Sequence, residues 1–359
     1  MTEPIGLPSQ IRGTERPQCP LCGSSGCFIH RDQRDRLFGA YGSWNLKRCS
    51  NQNCRLLWLD PMPLAEDLGK AYTNYYTHQV SSSQTGKETP PGTVRRFYRL
   101  MKGGYLAGKY GYFQSEPSRA SVVAGWLMWL LPGRSRRLDA EVRGLHAVPG
   151  GRLLDVGCGS GEWLLWMRSL GWEAEGLDFD ERAVSVATGI GLKVSLGSLE
   201  QQRFPAESFD ALTMSHVIEH LPDPVQTLTE CVRVLKPGGA LFLWTPNADS
   251  LGHSLFGQHW RGLEPPRHLH IFSPLSLQSL LSKAGLVRIR TCTRNSPMIL
   301  GHSMALLKGG SQEHTRSVGK AIAKTATWAL TLIEGAALIV SSQAGELLEA
   351  QATKSAHKA

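Results

Sequence analysis

The chain has 359 residues, 41% of them hydrophobic, and its 39 Lys and Arg against 30 Asp and Glu give a formal charge of +9. That length leaves room for two or three domains with at least one large core, and the ordinary apolar content excludes general disorder. The basic excess is scattered, densest at Arg95, Arg96, Arg99 and Lys102 and again at Arg134, Arg136 and Arg137. Such a pattern suits plain enzyme surface, an anionic substrate or an anionic membrane better than one continuous nucleic-acid stripe.

In chain order, the start shows no apolar run behind a basic segment, so no secretory signal is read there and a cytoplasmic, reducing location is expected. Cys19 and Cys22 in CPLC, then Cys49 and Cys54 in CSNQNC, have the spacing of paired thiolates that close a tetrahedral zinc site. The segment has few large apolar residues and needs such a staple to stay folded. Four thiolates leave no open position, so the zinc expected here is structural, and Cys27 is a spare. The domain reading is a zinc-ribbon module over 1–62, a helical connector or cap over 63–144, and a catalytic domain over 145–359. Within the connector, 94–111 and 120–143 read as helices, the second interrupted at Pro132-Gly133. Two apolar stretches, SVVAGWLMWLL (121–131) and WALTLIEGAALIV (328–340), fall short of the roughly 20 residues of a spanning helix. They read as buried or interfacial helices, the latter implying a peripheral membrane contact.

At 152 the pattern changes. RLLDVGCGSGEWLLWMRSLG is a short apolar run ending in Asp155, a turn with Gly157, Gly159 and Gly161, and a helix. A strand, a tight glycine turn and a helix N-terminus form a nucleotide-binding corner, because backbone without side chains can approach a ligand closely. WEAEGLDFD is a second strand ending in Asp178, whose carboxylate at the strand tip can accept both hydroxyls of a ribose. A third strand ends near Ser198 and Leu199, and a fourth, SFDALTMSHVIEHL, near Ser215-His216. A helix starts near Asp223, and GALFLWTPN is the fifth strand.

Together LLDVGCGSG, GLDFD, FDALTMSHVIEHLPDP and RVLKPGGALFLWTPN resemble the class I S-adenosylmethionine-dependent methyltransferases. The resemblance implies an α/β, Rossmann-like sheet of seven strands in the order 3-2-1-4-5-7-6, here with an N-terminal zinc ribbon and helical additions. It implies S-adenosylmethionine as cofactor, with Asp155, Gly157, Gly159, Gly161, Asp178, Phe179, Ser198, Leu199 and His216 around it. Gly157 and Gly159 would face its methionine part, Asp178 its ribose and Phe179 its adenine. A cysteine-paired module before such a domain, with an RHLHIFSP segment after the fifth strand, is similar to enzymes of sugar and cell-surface polysaccharide biosynthesis. The leading expectation is therefore a sugar, nucleotide-sugar or other glycan-type acceptor. One rival is O-methylation of a lipophilic or phenolic small molecule, supported by the apolar helices and by Glu219-His220. In the ubiquinone-type O-methyltransferases a similar stretch holds a divalent metal, and here His216 replaces its first carboxylate. The second rival is an RNA methyltransferase, which the weakly aromatic 19–54 segment disfavours. A scaffold that binds cofactor without turnover is the non-enzyme alternative.

Methyl transfer needs in-line alignment and, for a hydroxyl acceptor, removal of a proton, which histidine suits at neutral pH. His216, His220 and His268 are the catalytic candidates. HWRGLEPPRHLHIF (259–272) follows the fifth strand, where its loop should lie on the acceptor side. His268 and His270 should share one face of a strand, and Arg261 and Arg267 are candidates for gripping a phosphate or carboxylate. Beyond it, 298–342 reads as a helical insertion, and GELLEAQATK alternates as a final edge strand does.

Overall fold

The computed structural model describes residues 10–73, 92–113, 119–309, 333–335, 338 and 341–356. Seven strands share one sheet: β1 (Arg152–Val156), β2 (Glu173–Asp178), β3 (Lys193–Leu196), β4 (Phe209–Ser215), β5 (Leu235–Pro246), β6 (Leu286–Arg294) and β7 (Leu347–Lys354). Their spatial order is 3-2-1-4-5-7-6, the expected one. β1 runs parallel to β2 and to β4, and β2 runs parallel to β3. Helices on both faces bury the parallel strands, so Leu153, Leu154 and Val156 are all buried without alternation, and Asp155 between them is buried too. β7 is not an edge strand, since it lies between β5 and β6. Its Glu349, which gave the segment its alternating look, is buried and accepts from Trp244 Nε1 at 3.2 Å and from Arg294.

The chain divides into two compact units. One comprises Thr77–Met214, Glu230–Phe242 and Thr353–Ala359. Its core gathers Tyr105, Leu138, Leu153, Leu164, Met167 and Trp172. The connector segment supplies helices Thr93–Tyr110, Arg119–Leu127 and Pro132–Glu141, with a 3-10 turn at Met128–Leu130 before the proline. The first two helices cross at Gly104 and Gly125. A Cβ on Gly104 would sit 1.8 Å from the Ser121 carbonyl oxygen, so only glycine allows this approach.

The other unit comprises Met1–Tyr76, Ser215–Thr229 and Leu243–Ala352. Strands Gly26–Gln33, Trp44–Cys49 and Leu57–Leu59 form an antiparallel meander around the cysteines. Its fourth strand comes from the distant loop: His270–Ile271 pairs antiparallel with Leu57–Leu59, His270 opposite Trp58. The ribbon and the loop are thus one sheet. Ser273 then caps helix Pro274–Lys283 through a reciprocal bond with Ser276, with proline at the first helical position, and its hydroxyl donates to the Cys54 carbonyl at 2.8 Å. Of the expected 298–342 insertion, helix Pro297–Leu307 is seen, and most of the remainder lies outside the described residues.

Candidate functional site

The corner after β1 is built from backbone. Gly157, Gly159 and Gly161 have φ of 74°, 55° and 79°, the left-handed region that only glycine enters without strain. Gly157 N–H donates to the Leu177 carbonyl at 2.8 Å, tying the turn to β2. Gly159 N–H donates to Asp178 Oδ2 at 2.8 Å, and Asp178 Oδ1 accepts from Asp180 N–H at 2.9 Å. The carboxylate at the tip of β2 is therefore fixed before any ligand arrives. Apart from its own chain neighbours, no atom of the described residues lies within 4 Å of where a Gly159 Cβ would be, so the turn opens onto free space. Phe179, next in sequence, presents an exposed ring. An open, glycine-lined turn beside a pinned carboxylate and an exposed ring fits an adenosyl ligand bearing ribose hydroxyls.

Other residues proposed for the cofactor sit differently. Asp155 is buried, and its Oδ1 takes Arg143 Nη1 at 2.5 Å and Thr213 Oγ1 at 2.6 Å. Burial pushes its pKa up, against the pull of Arg143 and Thr213. Its visible work is to tie β1 to β4. Ser198 caps the turn Leu199–Gln202, its hydroxyl accepting from Gln201 N–H at 3.3 Å, while the Leu199 side chain is buried. Sequence reasoning missed Arg143, whose guanidinium also stacks 3.5 Å over the Trp163 ring. Nothing local marks it, because its partners lie 12 and 70 residues away.

After β4 the chain turns sharply. His216 has φ of 57°, unusual for a residue with a side chain, and its N–H donates to the Trp244 carbonyl at 2.9 Å. Its imidazole is 43% exposed, and Nδ1 lies 3.2 Å from Glu219 Oε1. Glu219 is fully buried in the 3-10 turn Ile218–His220. Burial alone would raise its pKa, but the His216 hydrogen bond and the fields of His220, His216 and His268 bring it down to about 2. The second oxygen, Oε2, has no hydrogen-bond partner among the described residues.

His220 and His268 stand edge to face with ring centroids 4.8 Å apart. His220 Nδ1 meets the Arg267 carbonyl at 3.0 Å, and His268 Nδ1 meets the Gly262 carbonyl at 2.7 Å. A carbonyl only accepts, so both protons sit on Nδ1 and both Nε2 lone pairs are available. Tyr72 adds its hydroxyl at 3.0 Å from His220 Nδ1. Ligand atoms of Glu219, His220 and His268 all lie within 4.8 Å of one another. An unpartnered buried carboxylate oxygen, with two imidazoles oriented by backbone carbonyls, has the chemistry of a divalent-cation site.

The 259–272 loop corrects two expectations. His268 and His270 do not share a strand face, because only His270–Ile271 is strand and His268 lies in the preceding turn, both side chains buried. Burial pushes each down to about 4, so both are neutral at pH 7. The arginines are not open to a substrate phosphate. Arg267 is wholly enclosed, donating to Asp35 Oδ2 and Oδ1 at 2.8 and 2.9 Å, to Glu264 Oε1 at 2.8 Å and to the Ala71 carbonyl at 3.0 Å. Arg261 pairs with Glu264. A buried guanidinium needs internal carboxylates, and Asp35 supplies one from 232 residues away.

The four cysteines do converge. Cys19 and Cys54 Sγ lie 3.7 Å apart, Cys22 and Cys49 Sγ 3.4 Å apart, and all four lie within 4.8 Å of one another. Zinc–thiolate bonds of about 2.3 Å in a tetrahedron set sulfur separations of about 3.8 Å. Gly23, with φ of 75°, turns the first knuckle and returns its N–H to the Cys19 carbonyl at 2.9 Å. Cys27 is exposed and stands outside the set.

Residues 133–290 match a family described as "Methyltransferase domain". Among curated relatives, the ubiquinone biosynthesis O-methyltransferase of Xanthomonas axonopodis pv. citri is 34% identical over 207 residues, 52% of this chain and 86% of that one. The enzyme of that name from Xanthomonas oryzae pv. oryzae is 36% identical over 198 residues, 49% of this chain and 81% of its own. For the Hahella chejuensis enzyme of the same name the match, 39% identical over 108 residues, takes in 28% of this chain and only 45% of the relative. Among solved structures, a SAM-dependent methyltransferase from Thermotoga maritima, described as a possible histamine N-methyltransferase, aligns with a TM-score of 0.41 at 17% identity. That alignment covers 73% of this chain and 94% of that one. The curated relatives overturn the expectation of a sugar or glycan-type acceptor: their names place them in ubiquinone biosynthesis as O-methyltransferases. The short RHLHIFSP likeness that carried the sugar reading instead marks the strand that completes the ribbon sheet.

Proposed function

The chain belongs to the class I S-adenosylmethionine-dependent methyltransferases, and from that premise we propose that it methylates an oxygen of a lipophilic or phenolic small molecule. The observation that carries this reading is the alignment with ubiquinone biosynthesis O-methyltransferases over more than four-fifths of two of them. The Glu219-His220 pair with His216 supports it chemically. When bound, S-adenosylmethionine supplies the methyl group on its sulfonium. Gly157 and Gly159 would hold its methionine part, Asp178 would accept from the ribose hydroxyls, and Phe179 would be the residue on the adenine side.

His216 is the proton acceptor in this proposal. It is the exposed imidazole of the cluster, while His268 is buried and His220 is tied through Nδ1 to Tyr72 and Arg267. Glu219, kept ionised, holds the proton on His216 Nδ1 and leaves Nε2 to take one from the acceptor hydroxyl. A buried carboxylate beside the ring then stabilises the imidazolium that forms. Glu219 Oε2 with Nε2 of His220 and His268 would hold a divalent cation, whose chemistry is to polarise an oxygen. The four thiolates would hold a structural zinc.

The test compares wild type with His216→Gln in initial-rate assays on an alkyl-substituted phenol. The proposal expects kcat to fall about 10²- to 10⁴-fold while cofactor affinity holds. An unchanged kcat contradicts the assignment of the base.

A further inference from the structure

We propose that the helices of the 93–141 segment form a docking surface for an anionic lipid bilayer, lying in its interface rather than crossing it. The stretch Arg119–Leu130, with Leu131 after it, is apolar on more than one face. Ala124 and Met128, one turn apart, are buried, and Gly125 abuts the backbone of Gly104. The inward side is thus used up on helix Thr93–Tyr110. The outward side still carries Val123, Trp126, Leu127 and Leu130, with Trp126 and Leu130 each 74% exposed; Trp129 beside them, 59% exposed, leans edge-on against Tyr105. Phe97, Leu100 and Phe113 are exposed in the same unit. A helix apolar all round is stable in water only if both faces are covered, and among the described residues nothing covers this one.

Charge selects the occupant. From Thr93 to Glu141 the sequence has nine Arg and Lys against three Asp and Glu. Arg96 and Arg99 stand exposed beside Phe97 and Leu100 on the first helix, and Arg134, Arg136 and Arg137 stand exposed just past Leu131. The Arg134 guanidinium lies 5.1 Å over the Tyr98 ring, which brings one basic group to the other helix. Lys109 pairs with Asp139, and Glu141 is shared by Lys102 and, at 3.4 Å, by the 80% exposed Arg137, so the few carboxylates offset only part of the basic charge. The exposed excess is therefore cationic. Tryptophans and leucines rimmed by arginine match the boundary between lipid headgroups and acyl chains. No described helix is long and apolar enough to span. The proposal is independent of the acceptor's identity.

The test is cosedimentation of the full chain with vesicles of phosphatidylcholine alone or mixed equally with phosphatidylglycerol. The expected result is binding to the anionic vesicles, weakened by salt, with little on phosphatidylcholine. Trp126→Ser with Leu130→Ser should lower the partition coefficient at least about tenfold. Arg134→Gln with Arg137→Gln should cost about fivefold per arginine, with an unfolding temperature close to wild type that keeps the test valid should the first variant misfold. Wild-type protein that stays in the supernatant overturns the proposal, as does binding indifferent to both variants. A solution dimer that Trp126→Ser with Leu130→Ser turns into monomer also overturns it, and assigns the face to a second copy of the chain.

Discussion

Replacing Arg267 by methionine tests the loop's internal scaffold most sharply. Methionine keeps most of the volume but removes four donated hydrogen bonds, two to Asp35, one to Glu264 and one to the Ala71 carbonyl. It leaves two carboxylates, with side chains only 1% and 3% exposed, short of their cation. Removing one partner of a buried ion pair costs about 3–5 kcal/mol. Asp35 keeps backbone donors from Leu37, Phe38 and Ala40, and Glu264 keeps Arg261, so the lower end applies, about 3 kcal/mol. For a unit of about 200 residues that lowers the unfolding temperature by about 6–12 °C. The loss should shrink on acidification. Burial raises the Asp35 pKa and Arg267 with the backbone donors overrides it, so without Arg267 the carboxyl takes up a proton more readily and its burial then costs less. Urea denaturation at pH 7 and pH 4.5 reads both effects. Asp35→Asn added to Arg267→Met should recover about 1 kcal/mol or more. A loss below about 1 kcal/mol at pH 7, or one independent of pH, refutes the reasoning.

Three further outcomes follow from the site. Metal analysis of the purified chain should give one zinc per molecule bound by the cysteine set, and Cys19→Ser should abolish it and destabilise the ribbon; zinc-free protein of unchanged stability counts against the assignment. Stability should fall in acid in two overlapping windows. His268 and His270, depressed from 6.5 to about 4 by burial, each withdraw up to about 3 kcal/mol as pH drops through that interval, because the unfolded chain takes the proton first. Glu219, lowered from 4.5 to about 2, contributes stability that is full above pH 4.5 and is lost toward pH 2, worth about 3 kcal/mol, so Glu219→Gln should flatten the lower window of a urea-midpoint profile. Finally, Gly159→Ala should weaken S-adenosylmethionine binding in calorimetry: a Cβ there meets no protein atom, so it strains the backbone at φ of 55° and fills space opposite Asp178. Unchanged affinity would remove the glycine turn from the cofactor site.

What was legible in the sequence was local. The glycine turn, the acid at the tip of β2, the cysteine spacing and the Ser273-Pro274 helix start each need only a few neighbouring residues, and the motif order carried the sheet order with them. What was not legible depends on distance. Asp155 reads as a ligand at a strand end until Arg143 and Thr213 are seen to enclose it. The loop arginines read as anion grips because Asp35, from the ribbon, is invisible to a local reading. His270 pairing with Trp58 joins segments more than two hundred residues apart, so a motif at the end of that loop reads locally as acceptor chemistry when it closes a sheet. β7 reads as an edge for a related reason: an alternating strand holding Glu349 resembles an exposed edge unless Arg294 and Trp244 are known to meet that carboxylate.

The most direct measurement is transfer of the label from methyl-labelled S-adenosylmethionine, with wild type and Asp178→Ala, into an alkyl-substituted phenol, the matching phenyl methyl ether and a nucleotide sugar. The account predicts label in the phenol alone, on oxygen by mass spectrometry, and its loss in Asp178→Ala through weakened cofactor binding. Label in the nucleotide sugar, or in the ether that lacks a free hydroxyl, would contradict it.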